Sequence, residues 1–185
     1  MKFIFDFDDV LFHNTKLFKE HMYACLERAG VSRSKAEEYY KTVRENQLTG
    51  IWLKKLLIHF SLKSDLYEEI LGKSKDFINK ELLLIIKKIG KENCYIVTHG
   101  YDEWQREKIK RVSIEPFFSE IIVVQGGKKE VIEKICAKHK DEEVIFVDDK
   151  IKHFENLDFK KCSNLKTILF DENGLEKLKA ILPSN

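Results

Sequence analysis

The sequence predicts an α/β protein: a parallel sheet of about five strands flanked by helices, with an all-helical insertion after the first strand. Three observations predict it. Short apolar runs rich in β-branched and aromatic residues recur at Phe3-Ile4-Phe5, Cys94-Tyr95-Ile96-Val97, Ile121-Ile122-Val123-Val124 and Val144-Ile145-Phe146-Val147. Such runs suit strands buried on both faces. Helical segments separate the last three runs, which implies right-handed crossovers and a parallel sheet. The long stretch between the first and second runs carries helical periodicity and no strand signal. Residues 1–12 and 76–185 are therefore read as the core, and 13–75 as the insertion.

The elements follow in order. Thr15 to Ala29 sets Leu17, Phe18, Met22, Cys25, Leu26 and Ala29 on one helical face, and Gly30 can close that helix. Ser34 with Glu37 three residues on resembles a capping box for a helix to Asn46. Ile51 to Phe60 is a third helix, with Trp52, Leu56 and Phe60 along one side. Ser64 to Leu71 is a fourth, ended by Gly72. Ser74 is expected to cap a fifth, running to Ile89 and closed by Gly90. Beyond the second strand come a helix from Asp102 to Val112, a turn at Pro116-Phe117-Phe118, and a break at Gly126-Gly127. A helix from Lys128 to Lys140, a strand over Lys166 to Phe170 and a closing helix over Gly174 to Leu182 complete the chain.

Composition excludes several classes. The 185 residues hold 33 Lys and Arg against 31 Asp and Glu, a formal net charge of +2. That lacks the basic excess of a nucleic-acid binder, so no nucleic-acid partner is expected. The longest apolar run, Leu82 to Ile86, is far short of a membrane span, and the run before Asp6 is too short for a signal peptide. A soluble, cytoplasmic monomer with no membrane partner is the expectation. The four cysteines, Cys25, Cys94, Cys136 and Cys162, form no metal-ligand pair and suit buried reduced thiols.

The chemistry collects at strand ends. The first strand runs into Asp6, Asp8 and Asp9. On an extended backbone Asp6 and Asp8 project to the same side. Two carboxylates about 4 Å apart repel by roughly 4 kcal/mol at an effective dielectric of 20, so a fold that holds them together needs a cation, a shared proton or open solvent. The second strand ends in Thr98-His99-Gly100 and the fourth in Asp148-Asp149, while Lys128 follows the third. Ligands of open α/β sheets sit outside the carboxyl ends of the strands. Carboxylates, a hydroxyl and an ammonium meeting there suit Mg²⁺ and a phosphate.

In Asp6-Phe7-Asp8-Asp9-Val10, Thr98, Lys128 and Asp148-Asp149, taken in order, the chain resembles the haloacid dehalogenase-like superfamily, phosphatase-type with a helical cap on a Rossmann-like core. Gln105, Lys108 and Pro116-Phe117-Phe118 also sit as in such members. The resemblance implies an Mg²⁺-dependent phosphomonoester hydrolase acting on a small phosphorylated metabolite. Asp6 would be the nucleophile and Asp8 the acid and base. Thr98 and Lys128 would stabilise charge and, with His99, bind substrate. Asp6, the Asp8 carbonyl and Asp149 would hold the metal, with Asp148 behind Asp149 or bound through water. Dehalogenating members lack an acid at the Asp8 position. A sugar phosphomutase of the same family, or a non-catalytic phosphate-binding regulatory protein, are the alternatives.

Asp9, His99 and His153 depart from the common family pattern. His153 is expected at a helix start on the surface. His13 and Asn14 fall at the entrance to the insertion. Trp52 is expected to pack the insertion, with Lys54 and Lys55 solvated, and Lys129 competes with Lys128 for the site.

Overall fold

The computed structural model describes residues 1–45 and 51–182. Its sheet contains β1 (Lys2–Phe5), β2 (Cys94–His99), β3 (Glu120–Val124), β4 (Val144–Asp148) and β5 (Leu165–Leu169). The order is β3-β2-β1-β4-β5, and every pairing is parallel. The order reverses direction at β1, the point where such sheets open a crevice.

Alternation along the strands builds two cores. Phe3, Phe5, Ile96, Ile145 and Val147 face one side; Ile4, Tyr95, Val97, Val144 and Phe146 face the other. Helix α5 (Lys80–Ile89) brings Leu82 and Ile86, and α6 (Asp102–Val112) brings Ile109, to the first side. Helix α7 (Lys129–Lys138) brings Ile132 and Cys136, and α8 (Lys152–Glu155) brings Phe154, to the second. Helix α9 (Gly174–Ile181) closes the chain over Leu178. The four cysteines are free and buried, and burial pushes the thiols of Cys94 and Cys136 up to about 12. Among the described residues no helix is long and apolar enough to cross a membrane.

Between β1 and β2 lie α1 (Thr15–Arg28), α2 (Arg33–Glu45), α3 (Trp52–His59) and α4 (Asp65–Gly72). The chain leaves the sheet and returns through paired crossings: His13 N donates to Phe77 O at 2.6 Å, Asn79 N to Leu11 O at 2.8 Å, and Phe12 bridges Ile78. The same apolar cluster runs from α1–α4 into the first side of the sheet.

Helix α4 ends at Gly72 as expected, and a 3₁₀ turn over Lys73–Phe77 follows. Two local expectations fail. Ser74 caps nothing; it is buried in that turn, and Asn79 caps α5 by accepting from Leu82 N at 3.0 Å. The return crossing at Ile78 is extended, so the helix can begin only after it. Ser34 lies inside α2 with its hydroxyl on Ser32, and Glu37 pairs with Arg33 instead of reaching back to a cap. The end expected for that helix at Asn46 lies outside the described residues.

Candidate active site

Register brings the acids together. Phe5 pairs with Val147, so Asp6 and Asp148 leave neighbouring strands side by side, and Asp6 N donates to Val147 O at 2.9 Å. Lys128, at the N-terminus of α7, reaches between them. Its Nζ lies 2.8 Å from Asp6 Oδ2 and 2.6 Å from Asp148 Oδ2, over the Phe146 ring. Asp6 Oδ1 also accepts from Phe7 N at 2.7 Å. Burial raises the Asp6 carboxyl above its usual range. Lys128 opposes that, and the neighbouring Asp148 adds to it.

Asp148 is surrounded by donors. Besides Lys128 it accepts from Lys150 N at 2.9 Å and from His153 Nδ1 at 2.8 Å. The ligand atoms of Asp6, Asp148 and His153 lie within 4.8 Å of one another. Asp149 does not join this cluster. Its carboxylate meets Lys150 Nζ at 3.1 Å, and burial lifts its carboxyl while Lys150 opposes the rise. Lys129 stands apart and faces Glu133. His153 is not the surface residue expected: α8 begins close behind β4 and turns its ring onto Asp148.

Asp8 sits on a tight loop closed by Phe12 N donating to Phe7 O at 2.8 Å and Asp9 N to Phe12 O at 2.9 Å. Asp9 adopts φ 59°, in the left-handed region. Its carboxylate accepts from Thr15 N at 2.8 Å and from the Thr15 hydroxyl, tying the loop to the start of α1. The Asp8 carboxylate is held from α6. Lys108 Nζ pairs with Oδ1, and Gln105 Nε2 donates to Oδ2 at 2.8 Å. Burial alone would raise the Asp8 carboxyl, but the Lys108 ammonium, with hydrogen bonds from Lys108 and Gln105, outweighs it and leaves it below the usual range.

The Gln105 amide also donates to Thr98 Oγ1 at 3.2 Å and His99 O at 2.9 Å, which fixes the buried Thr98 hydroxyl. Gly100 makes room: a Cβ there would stand 3.0 Å from Gln105, and its φ of 155° disfavours side chains. The His99 ring points outward and donates from Nε2 to Gln125 O at 3.0 Å.

A cavity of about 390 Å³ opens beside Asp8, Lys108, Gln105, His99 and Lys150. It extends to Phe18, Met22, Tyr40, Trp52 and Trp104. Trp52 thus lines the cavity as well as packing the insertion. His13, Asn14, Lys54 and Lys55 do not line it; Asn14 caps α1, and Lys54 lies over the Tyr67 ring.

Lys108 and Gln105 were legible only as positions in a resembling helix, and Trp104 carried no signal. Gln105, Lys108, Ile109 and Val112 form the buried face of α6. Two polar residues on an otherwise apolar stripe are the signal that could have found them.

The residues present fit a hard divalent cation. Asp6 and Asp148 set two carboxylates against one ammonium, which leaves the group a net negative charge and oxygen donors.

A family model described as haloacid dehalogenase-like hydrolase matches residues 3–157. No curated protein matches the sequence. Among solved structures, a protein described as a haloacid dehalogenase-like hydrolase from Burkholderia xenovorans aligns at TM-score 0.65 and 16% identity, covering 98% of this chain and 91% of that one. A protein described as a HAD-hydrolase from Bacillus subtilis, bound to magnesium, aligns at 0.57 and 17%, covering 99% and 98%. One described as a beta-phosphoglucomutase from Thermotoga maritima aligns at 0.54 and 17%, covering 98% and 100%. At such identities the likeness speaks for the fold alone.

Proposed function

The chain belongs to the haloacid dehalogenase-like hydrolase family, and from that premise we propose that it is a magnesium-dependent phosphomonoester hydrolase working through an aspartyl-phosphate on Asp6. The observation that carries the reading is Asp8. It stands two residues past the proposed nucleophile, held by Lys108 and Gln105 at the mouth of a cavity. A proton-transferring group so placed serves ester hydrolysis, and family members that dehalogenate lack it.

In the proposed reaction an Asp6 oxygen attacks phosphorus and the ester P–O bond breaks. Asp8, protonated from solvent once Lys108 has turned to the phosphate, gives the leaving oxygen that proton. Water then attacks the same phosphorus, Asp8 takes the water's proton, inorganic phosphate leaves and Asp6 is restored. Lys108 engages Asp8 beforehand; a substrate phosphate offers that ammonium a stronger partner, and the exchange frees Asp8 for proton transfer. Lys128 and the Thr98 hydroxyl stabilise charge on the transferred group. Asp6, the Asp8 carbonyl and the Asp148-Asp149 pair would hold Mg²⁺. The ion would supply Lewis-acid charge at the phosphate oxygens.

Residues 13–75 are proposed to close over the core as a lid that excludes bulk water. The contact of Trp52 with Trp104, 5.8 Å between centroids, and of Glu68 with Arg111 Nη2 at 2.7 Å support that reading. The substrate is a small phosphorylated metabolite, and the enzyme acts as a cytoplasmic monomer.

The test is phosphate release from a panel of phosphomonoesters with and without Mg²⁺, for the native protein and Asp6→Asn. Release that requires Mg²⁺ and falls at least about 10³-fold in the variant is expected. Unchanged turnover in Asp6→Asn would overturn the nucleophile. Isomerisation of a sugar phosphate without net phosphate release would replace the hydrolase reading with the mutase.

A further inference from the structure

The cavity beside Asp8 has a charged and an aromatic lining. Its charged groups are Asp8, Asp9, Lys19, Lys108 and Lys150, of which Asp8 pairs with Lys108, Asp9 with Thr15 and Lys150 with Asp149. The aromatic wall begins beside them, with Lys108 Nζ 5.9 Å from the centre of the Trp104 ring. Tyr40 of α2 packs on Trp52 of α3 at 4.9 Å, and Trp52 meets Trp104 of α6 at 5.8 Å and 66°. Met22 and Phe18 fill the side. The wall therefore draws one indole from the insertion and one from the core.

Resting on the phosphatase reading, we infer that the ester cleaved here has a leaving group bearing a planar aromatic ring, seated against Trp52 and Trp104. Size and chemistry agree. About 390 Å³ is room for roughly a dozen waters at ~30 Å³ each, more than a two- or three-carbon leaving group needs and enough for one ring system. Two indoles meeting at 66° let a ring stacked on one present its edge to the other, an arrangement aromatic groups favour. A planar ring gains stacking on both indoles that a polyhydroxylated sugar of the same size lacks. The charged groups would hold the phosphate, and the aromatic wall beside them would take the ring of the same ester.

The chain has two tryptophans, and both stand at this wall, so indole fluorescence reports its occupancy directly. The experiment compares kcat/KM for nucleoside 5′-monophosphates and pyridoxal 5′-phosphate with those for glucose 6-phosphate and glycerol 3-phosphate. Alongside it, absorbance-corrected fluorescence is titrated with adenosine and with glucose. The expected result is a kcat/KM at least about tenfold higher for the aromatic esters, with saturable quenching by adenosine and none by glucose. In Trp52→Leu, and separately in Trp104→Leu, the aromatic-to-aliphatic ratio should fall by about tenfold, chiefly through KM. The second variant, from the core side, covers the case in which the first does not fold. Hydrolysis of all four classes at similar efficiency without quenching would overturn the inference and leave the hydrolase standing. Saturable quenching by adenosine with no phosphate released from any ester would do the reverse.

Discussion

Two lysine–carboxylate groups meet at the carboxyl edge of this sheet, and they differ in burial. Around Lys128 little is exposed: its side chain is 1% exposed, Asp6 5% and Asp148 0%. Around Lys108 the ammonium is buried, but Asp8 is 26% exposed and faces the cavity. The same ion chemistry therefore has two consequences. In the less exposed group the ammonium is the internal counterion of two acids and cannot be removed cheaply. In the open one, water or a ligand can replace it. The first sets the electrostatics of the proposed nucleophile; the second is a clasp on the proposed proton-transferring acid, which water or a ligand can replace.

The sharpest way to break this contrast is Lys128→Met. It strands two buried carboxylates, and losing one partner of a buried ion pair costs about 3–5 kcal/mol. A melting temperature lower by roughly 6–20 °C is expected from calorimetry, with activity lost. A variant that melts with the native protein would show that water reaches the less exposed group.

Lys108→Met should behave oppositely, since Met keeps the apolar stem and water can reach Asp8. Stability should change by about 1 kcal/mol or less. Steady-state kcat/KM should fall roughly 10- to 100-fold because the substrate phosphate loses its ammonium partner. The pair also has an acid signature. The folded Asp8 carboxyl lies below its unfolded value, so its contribution to stability is present above the unfolded range and is lost as pH falls through the folded one. Acid unfolding of Lys108→Met should lack that loss.

The smallest effect expected is a gain. Burial raises the Asp6 carboxyl, so as pH rises through that group the ionised form weakens the native state. With chelator present, Asp6→Asn should melt about 2–4 °C higher near neutral pH, the shift that ~1 kcal/mol gives in a chain of this size, and the gap should close in acid. A lower melting temperature at neutral pH would mean that Lys128 more than offsets the cost of burying both acids.

The same contrast governs what could be read without coordinates. Strands β1, β2 and β4 were legible because burial on both faces leaves continuous apolar runs, and Asp6, Thr98 and Asp148 because they close those runs. Lys128 was legible by its place after β3. Lys108 and Gln105 lie mid-helix, and only the crossing of α6 over the β1 loop gives them their partner. His153 needed the short turn after β4 that folds α8 back onto Asp148. The misplaced start of α5 has the same origin: Ser74 and Asn79 are both adequate local caps, and the extended pairing of Phe12 with Ile78 decides between them.

That pairing has a consequence of its own. Because Leu11 bonds Asn79 and His13 bonds Phe77, the chain departs from the sheet and rejoins it at nearly one point. Everything between can be lengthened at an entropic cost that grows only with the logarithm of its length, and no strand has to slip. The sheet edge and the inserted helices are thus joined at one place, although Trp104 of the core also lines the cavity. A graft cut at these two neighbouring bonds is the natural way to give this catalyst a different diet.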